Sequence, residues 1–510
     1  MQNIEQTESR WPIELFKLVI IASSLACLIL TFVVAQNEKE FIIALLGTMC
    51  LIVISIPLFA QKPISVFEPI VLVSLLVLIG TPVKLIYIFW VRETDHYIAE
   101  HVLLHQEPEV FLKGAYVLLV GYSLFVFGYM LRFPKTPLDW VFLPRVVQWN
   151  GRRLQIVLFI VGTIAILSFA AFVVTSGVSF TSLTSLSQKR FLEARADGAE
   201  RMHSTSYLFC RGAAFSKFIV YFCLIWIIHN KKSFFSLIGL VMVCAMLQSI
   251  SLAVVLNSRA GVALILLDCA VISYYMYRQV SVKLMLGSLA FASCLMIAML
   301  FARGQRNEVN INSMGMLFQK TLNGRNMLDI SKCCHIINGV PRKMDYRKGE
   351  MLYAWLAAPI PKKYWPDKPI WANQGLTVNR KIFGYQGDLS GVPPGLIGEL
   401  HWNFGIGGVW VGLFCAGLLF RQIFLSFYPH RYNPTSILIY TMIATRFVIF
   451  SLGNDLGTGI VKAGLDLAPI YMVLLFIGMV RGPAQGTLGS AEMNEANSYP
   501  QIHRPLELTQ

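Results

Sequence analysis

The sequence predicts an all-α, polytopic integral membrane protein with about 12 transmembrane helices, and three observations predict it. Of 510 residues, 55% are hydrophobic and 14% charged, with mean hydropathy +0.60; a soluble domain carries about 25% charged residues. Apolar runs of about 20 residues, the length that spans a bilayer as a helix, recur along the chain. Short loops rich in Lys and Arg alternate with short loops poor in them, as the positive-inside rule requires.

Taken in order, the runs lie at 13–35, 41–60, 67–91, 111–131, 154–175, 212–229, 234–255, 259–277, 283–302, 394–420, 435–453 and 458–480. The first is too long for the core of a cleaved signal peptide, so it reads as a retained anchor. If the N-terminus is cytoplasmic, the basic segments Arg132–Arg153, Lys231-Lys232, Arg278–Lys283 and Arg421–Arg431 are cytoplasmic too. Both termini then face the cytoplasm, residues 1–12 and 481–510 being tails and the second of these disordered in composition. Two loops face outward, 176–211 and 303–393. The larger holds fourteen Lys/Arg against six Asp/Glu, so much of the net charge of +15 faces away from the cytoplasm. Loops beyond about 60 residues escape the positive-inside rule. Within it, 314–337 has the apolar spacing of an amphipathic helix for a membrane surface, or of a helix packed on its own loop.

Most of the ten cysteines lie in apolar runs, where Cys behaves as a small hydrophobe. No metal-ligand spacing and no nucleotide fingerprint occurs, so neither a metal nor a cofactor is expected.

Chemistry is expected where the large loop meets the tenth run. Leu396-Ile-Gly-Glu-Leu-His-Trp-Asn-Phe-Gly405 carries Glu399, His401 and Asn403 at the mouth of a helix. Glu399 and Asn403 are four apart and share a helix face, whereas His401 points roughly 200° away. Glu399 suits a general base accepting a hydroxyl proton, or a helix cap. Arg259, Arg303 and Arg306 lie at outer helix ends, and Arg190 and Arg195 in the other outer loop. Guanidinium groups bind phosphate through paired hydrogen bonds, or reach lipid headgroups singly. Arg446 lies inside an apolar run; it should face the bundle, with Asp466 a candidate partner. The whole suits an active site for an anionic, lipid-linked substrate.

Trp365-Pro-Asp-Lys368-Pro, the later Pro393–Gly405 segment and the Asn257-Ser-Arg-Ala-Gly261 turn resemble the Wzy-type O-antigen and oligosaccharide repeat-unit polymerases. That resemblance implies a glycosyltransferase C-type membrane fold in the bacterial inner membrane. It implies metal-independent transfer, at the periplasmic face, of a growing glycan from undecaprenyl diphosphate onto the terminal sugar of an incoming lipid-linked unit. A flippase and a chain-length regulator would share the membrane. Arg259 and Arg303 would hold the diphosphate, with Arg306, Arg195, Arg190, Lys368, Trp365 and Arg446 further candidates for substrate contact. His401 stands where the family more often has an aromatic residue. A transporter or flippase for lipid-linked glycans, and an O-antigen ligase, are the alternatives.

Overall fold

The structure is a computed structural model that describes residues 11–61, 64–91, 107–131, 138, 141, 146–175, 204–256, 258–277, 329–357, 365, 374–384 and 392–480. Among these, eleven helices are long and apolar enough to cross a membrane. They are α1 (Pro12–Val34), α2 (Glu38–Ala60), α3 (Pro69–Trp90), α4 (Pro108–Met130), α5 (Gly151–Thr175), α6 (Leu208–His229), α7 (Leu237–Val255) and α8 (Ala260–Tyr277), then α12 (Gly395–His430), α13 (Pro434–Gly453) and α14 (Leu456–Ile477). Three shorter helices fall between the two sets: α9 (Ile330–Gly339), α10 (Glu350–Ala357) and α11 (Gln374–Lys381). The expected run at 283–302 lies outside the described residues.

The bundle is apolar on the outside as well as within. Phe159, Val174 and Met472 are 76%, 79% and 66% exposed, an arrangement that water would penalise and lipid accepts. The chain is a multi-pass membrane protein. Pro69, Pro108 and Pro434 sit in the first turns of their helices, where a missing N–H costs nothing.

The two ends of the bundle differ. At one, here the tail end, Val146–Trp149 (β1) pairs antiparallel with Gly478–Val480 (β2). This short pair amends the all-α expectation: the last helix stops at Ile477, and its final residues extend to meet β1. The other end carries α9, α10 and α11 and is the cap end.

Small residues let two central helices touch. A Cβ on Gly128 of α4 would stand 2.2 Å from the Phe414 carbonyl oxygen, and one on Gly417 of α12 would stand 2.0 Å from that of Phe125. Close backbone approach of this kind is how membrane helices gain packing contact without a hydrophobic drive.

Helix α12 has 36 residues, about 54 Å at ~1.5 Å per residue, far more than the ~30 Å hydrocarbon core. It is broken at Gly405, whose φ is 69° and ψ −160°, a conformation suited to glycine. Residues 395–404, before the break, pack against the cap helices. The expected run at 394–420 contains this break; a kink needs only one glycine, and hydropathy does not register it.

Cap and bundle are joined by a second core. Ile336, Val340, Met344, Met351, Val378, Ile382 and Val392 pack around Trp402, which is fully buried. Helix α9, the end of the expected amphipathic stretch, is not spread on a surface. Its Cys334 packs against Gly114 of α4 and its Ile336 against Gly398 of α12. Residues 303–328 lie outside the described residues. Cys333 and Cys334 are free thiols.

Candidate functional site at the cap end

The first half of α12 carries three polar side chains that are all buried: Glu399, His401 and Asn403. Each has found different neighbours. Glu399 reaches the turn between α13 and α14, where its Oε2 accepts the Leu456 amide at 2.7 Å. Leu456 opens α14, so the carboxylate sits at the positive end of a helix dipole. Its Oε1 has no hydrogen-bond partner. Gln374, at the start of α11, lies beside the carboxylate.

That turn is gripped from three directions. Lys332 of α9, fully buried, donates to the Gly453 carbonyl at 3.2 Å. Gly395 donates its amide to the Asn454 carbonyl. Asp455 caps α14 through the Thr458 amide and accepts the Thr458 hydroxyl at 2.8 Å. Burial pushes the Asp455 carboxyl up, while Thr458, Lys462 and Lys332 pull it back. The result is a buried group of two carboxylates and an ammonium where cap, α12 and the last two spans meet.

Asn403 is fully committed to backbone. Its Oδ1 accepts the amides of Gly349 and Met351 at 3.1 and 3.3 Å, and its Nδ2 donates to the Glu399 carbonyl at 2.9 Å. The Arg347 and Lys348 amides donate to the Trp402 and Asn403 carbonyls at 2.9 and 3.0 Å. Those carbonyls lie just before the break at Gly405, so the cap loop takes up acceptors that the broken helix would leave unpaired. His401 lies 3.4 Å by Nε2 from the Val340 carbonyl, and its ring meets Tyr346 edge-on. It shares no contact with the Glu399 carboxylate.

The other expected residues scatter. Arg259 begins the helix that continues as α8, and its side chain is outside the described set. Arg190, Arg195, Arg303, Arg306 and Lys368 lie outside the described residues. Trp365 is 37% exposed on the cap. Arg446 is in mid-bundle, away from the cap. Its Nε donates to Asp466 at 2.8 Å and its NH2 to Asp268 at 2.6 Å. Asp466 also takes Lys217 at 2.6 Å, and Asp268 takes the Tyr221 hydroxyl. The expected Arg446–Asp466 pair is present, within a larger network.

Sequence reasoning missed Asp455 and Gln374 as neighbours of Glu399, and Lys332 as a member of the same cluster. Nothing in their spacing signals the contact, which the chain makes across tens of residues. It also missed Lys217 and Asp268, although each is a charge inside an apolar run, the same signal that drew attention to Arg446.

No protein-family model, curated protein or solved structure matches the chain.

Proposed function

We propose that the chain is a membrane glycan polymerase of the Wzy type with a glycosyltransferase C-type fold. It would extend a surface polysaccharide such as O-antigen by moving the growing glycan from undecaprenyl diphosphate onto a new lipid-linked unit, at the periplasmic face of the inner membrane. The supporting observation is Glu399: a buried carboxylate at the joint of cap and bundle, with one oxygen held by Leu456 and the other without a hydrogen-bond partner. In this reading the free oxygen takes the proton of the attacking sugar hydroxyl. Arg259, Arg303, Arg306, Arg190 and Arg195 stabilise charge on the departing diphosphate, and Trp365 and Lys368 face the glycan. Asn403 positions rather than reacts, since each of its amide atoms already bonds backbone. Arg446 is left out, being held by two carboxylates.

The test is purified protein incubated with an undecaprenyl-diphosphate-linked repeat unit. A ladder of products that persists with chelator supports the reading. Glu399→Gln separates base from cap, because an amide oxygen still accepts the Leu456 N–H but takes no proton. The ladder is expected to vanish in Glu399→Gln while thermal stability is retained; a full ladder from that variant removes Glu399 from the chemistry.

A transporter reading has one observation of its own, the charges at mid-depth on α6, α8, α13 and α14. Transporters bind substrates near the bilayer midplane. Movement of the lipid-linked unit across proteoliposomes, without a new glycosidic bond, would favour it.

A further inference from the structure

The cap holds a cavity of about 220 Å³ apart from the Glu399 cluster. Arg342, Lys343, Asp345, Arg347, Thr377 and Lys381 are on its walls. Four basic residues and one acidic residue therefore line it, Lys343 donating to the Ile382 carbonyl at 3.3 Å. Charge of one sign in a concave site attracts a counter-ion far more strongly than the same charge on an open face.

The walls are held in place. Met344 and the Trp402 ring pack in the second core, and the Trp402 indole donates to the Asp345 carbonyl at 3.1 Å. One guanidinium nitrogen of Arg342 donates to Asn338 Oδ1 at 2.9 Å. The Arg347 guanidinium lies 5.7 Å from the Trp402 ring and 3.6 Å from Glu350. Each is anchored on one side with further N–H donors left over, which makes a guanidinium a pre-set fork for a carboxylate or phosphate. Thr377 is buried on α11, and Lys381 is exposed in its last turn. The cavity is smaller than the ~300–1,000 Å³ of pockets for drug-sized ligands, so it suits one ring and its charge.

We propose that this cavity binds an acidic sugar, gripping the carboxylate or phosphate on one ring of a glycan. The inference rests on the reading that a glycan reaches this face, and it specifies that the glycan is anionic. The cavity orients the chain; it does not take part in bond making.

Full-length protein in neutral detergent is titrated with trigalacturonate, and with maltotriose as the uncharged counterpart. Trigalacturonate is expected to bind saturably, more weakly at higher salt, and maltotriose not to bind. Arg342→Gln combined with Lys381→Gln should weaken binding about tenfold, equal to ~1.4 kcal/mol, with the melting temperature unchanged because both side chains are exposed. Lys381→Glu alone is the second variant should the pair fold poorly. No binding, equal binding of maltotriose, or binding indifferent to these substitutions overturns the proposal. Displacement by equimolar inorganic phosphate shows a bare anion site, and loss of binding in phosphatidylglycerol but not phosphatidylcholine nanodiscs shows a headgroup site; either overturns the saccharide. Binding is read without turnover. A chain that polymerises but ignores trigalacturonate overturns this proposal alone, and one that binds without polymerising overturns the polymerase alone.

Discussion

Two clusters of charge meet at the last two spans, and the clusters are completed in different ways. At mid-depth Arg446 bridges Asp268 and Asp466, and Asp466 also holds Lys217. Every charge ends on an opposite charge, and four helices are tied together. At the cap end Glu399 accepts a backbone amide and Asp455 is held by Thr458, with Lys462 and Lys332 acting on its charge. A closed set of ion pairs has nothing left to offer a ligand. Glu399, held only through a backbone amide on one oxygen, keeps its other oxygen unbonded. On the proposed function, the first cluster is structural and the second carries the chemistry. The π turn at Ile443–Val448 belongs to the first, because its wider turn carries Arg446.

The largest expected effect breaks the closed cluster. Arg446→Leu leaves buried Asp268 and half-buried Asp466 with one guanidinium too few. Removing one partner of a buried pair costs about 3–5 kcal/mol, enough to consume much of a domain's stability. Tryptophan-fluorescence melts in detergent should show the fall, and the double variant Arg446→Leu/Asp268→Asn should recover part of it. A melt unchanged by Arg446→Leu would remove the distinction between the clusters.

A smaller effect is expected at the cap. Asn403→Ala deprives the Gly349 and Met351 amides of their acceptor, a loss of about 1–3 kcal/mol for buried groups left unpaired. The cap should loosen before the bundle does. Limited proteolysis should therefore cut within 341–357 in Asn403→Ala and not in Arg446→Leu under conditions where the bundle persists. Cleavage of both variants at the same site would mean that cap and bundle unfold as one.

Much of this architecture could be read directly from the chain. Apolar length located the spans, and charge inside an apolar run singled out Arg446 and suggested Asp466. The same criterion would have added Lys217 and Asp268, had it been applied to every span. Other features were beyond one sequence. The grip of Asn403 on Gly349, and of Glu399 on Leu456, joins segments more than 50 residues apart, and no local pattern encodes such a meeting. The break at Gly405 was half visible, since Asn-Phe-Gly-Ile-Gly-Gly is glycine-rich for a crossing helix. Hydropathy averages over such a stretch and so does not register the break. The Gly114, Gly121 and Gly128 series on α4 had a period of seven, the mark of one helix face.

The finest test of the contrast is a pH profile, because only the open cluster holds a carboxyl at the edge of the membrane spans that burial pushes up. Asp455 retains its proton more readily in the fold than in the unfolded chain. Such a group adds stability below the ordinary carboxylate range and loses it as pH rises through its folded value. The melting temperature should fall as pH climbs out of that range. Asp455→Asn keeps a side-chain oxygen for the Thr458 amide, and Asn is as good an N-cap as Asp, so the helix start is preserved and the slope should flatten. A variant with the wild-type slope would place the titration elsewhere. A variant that loses more stability as pH rises would mean that the charge of Asp455, and not its proton, supports the turn; the cap-end cluster would then be a closed structural device like the one at mid-depth.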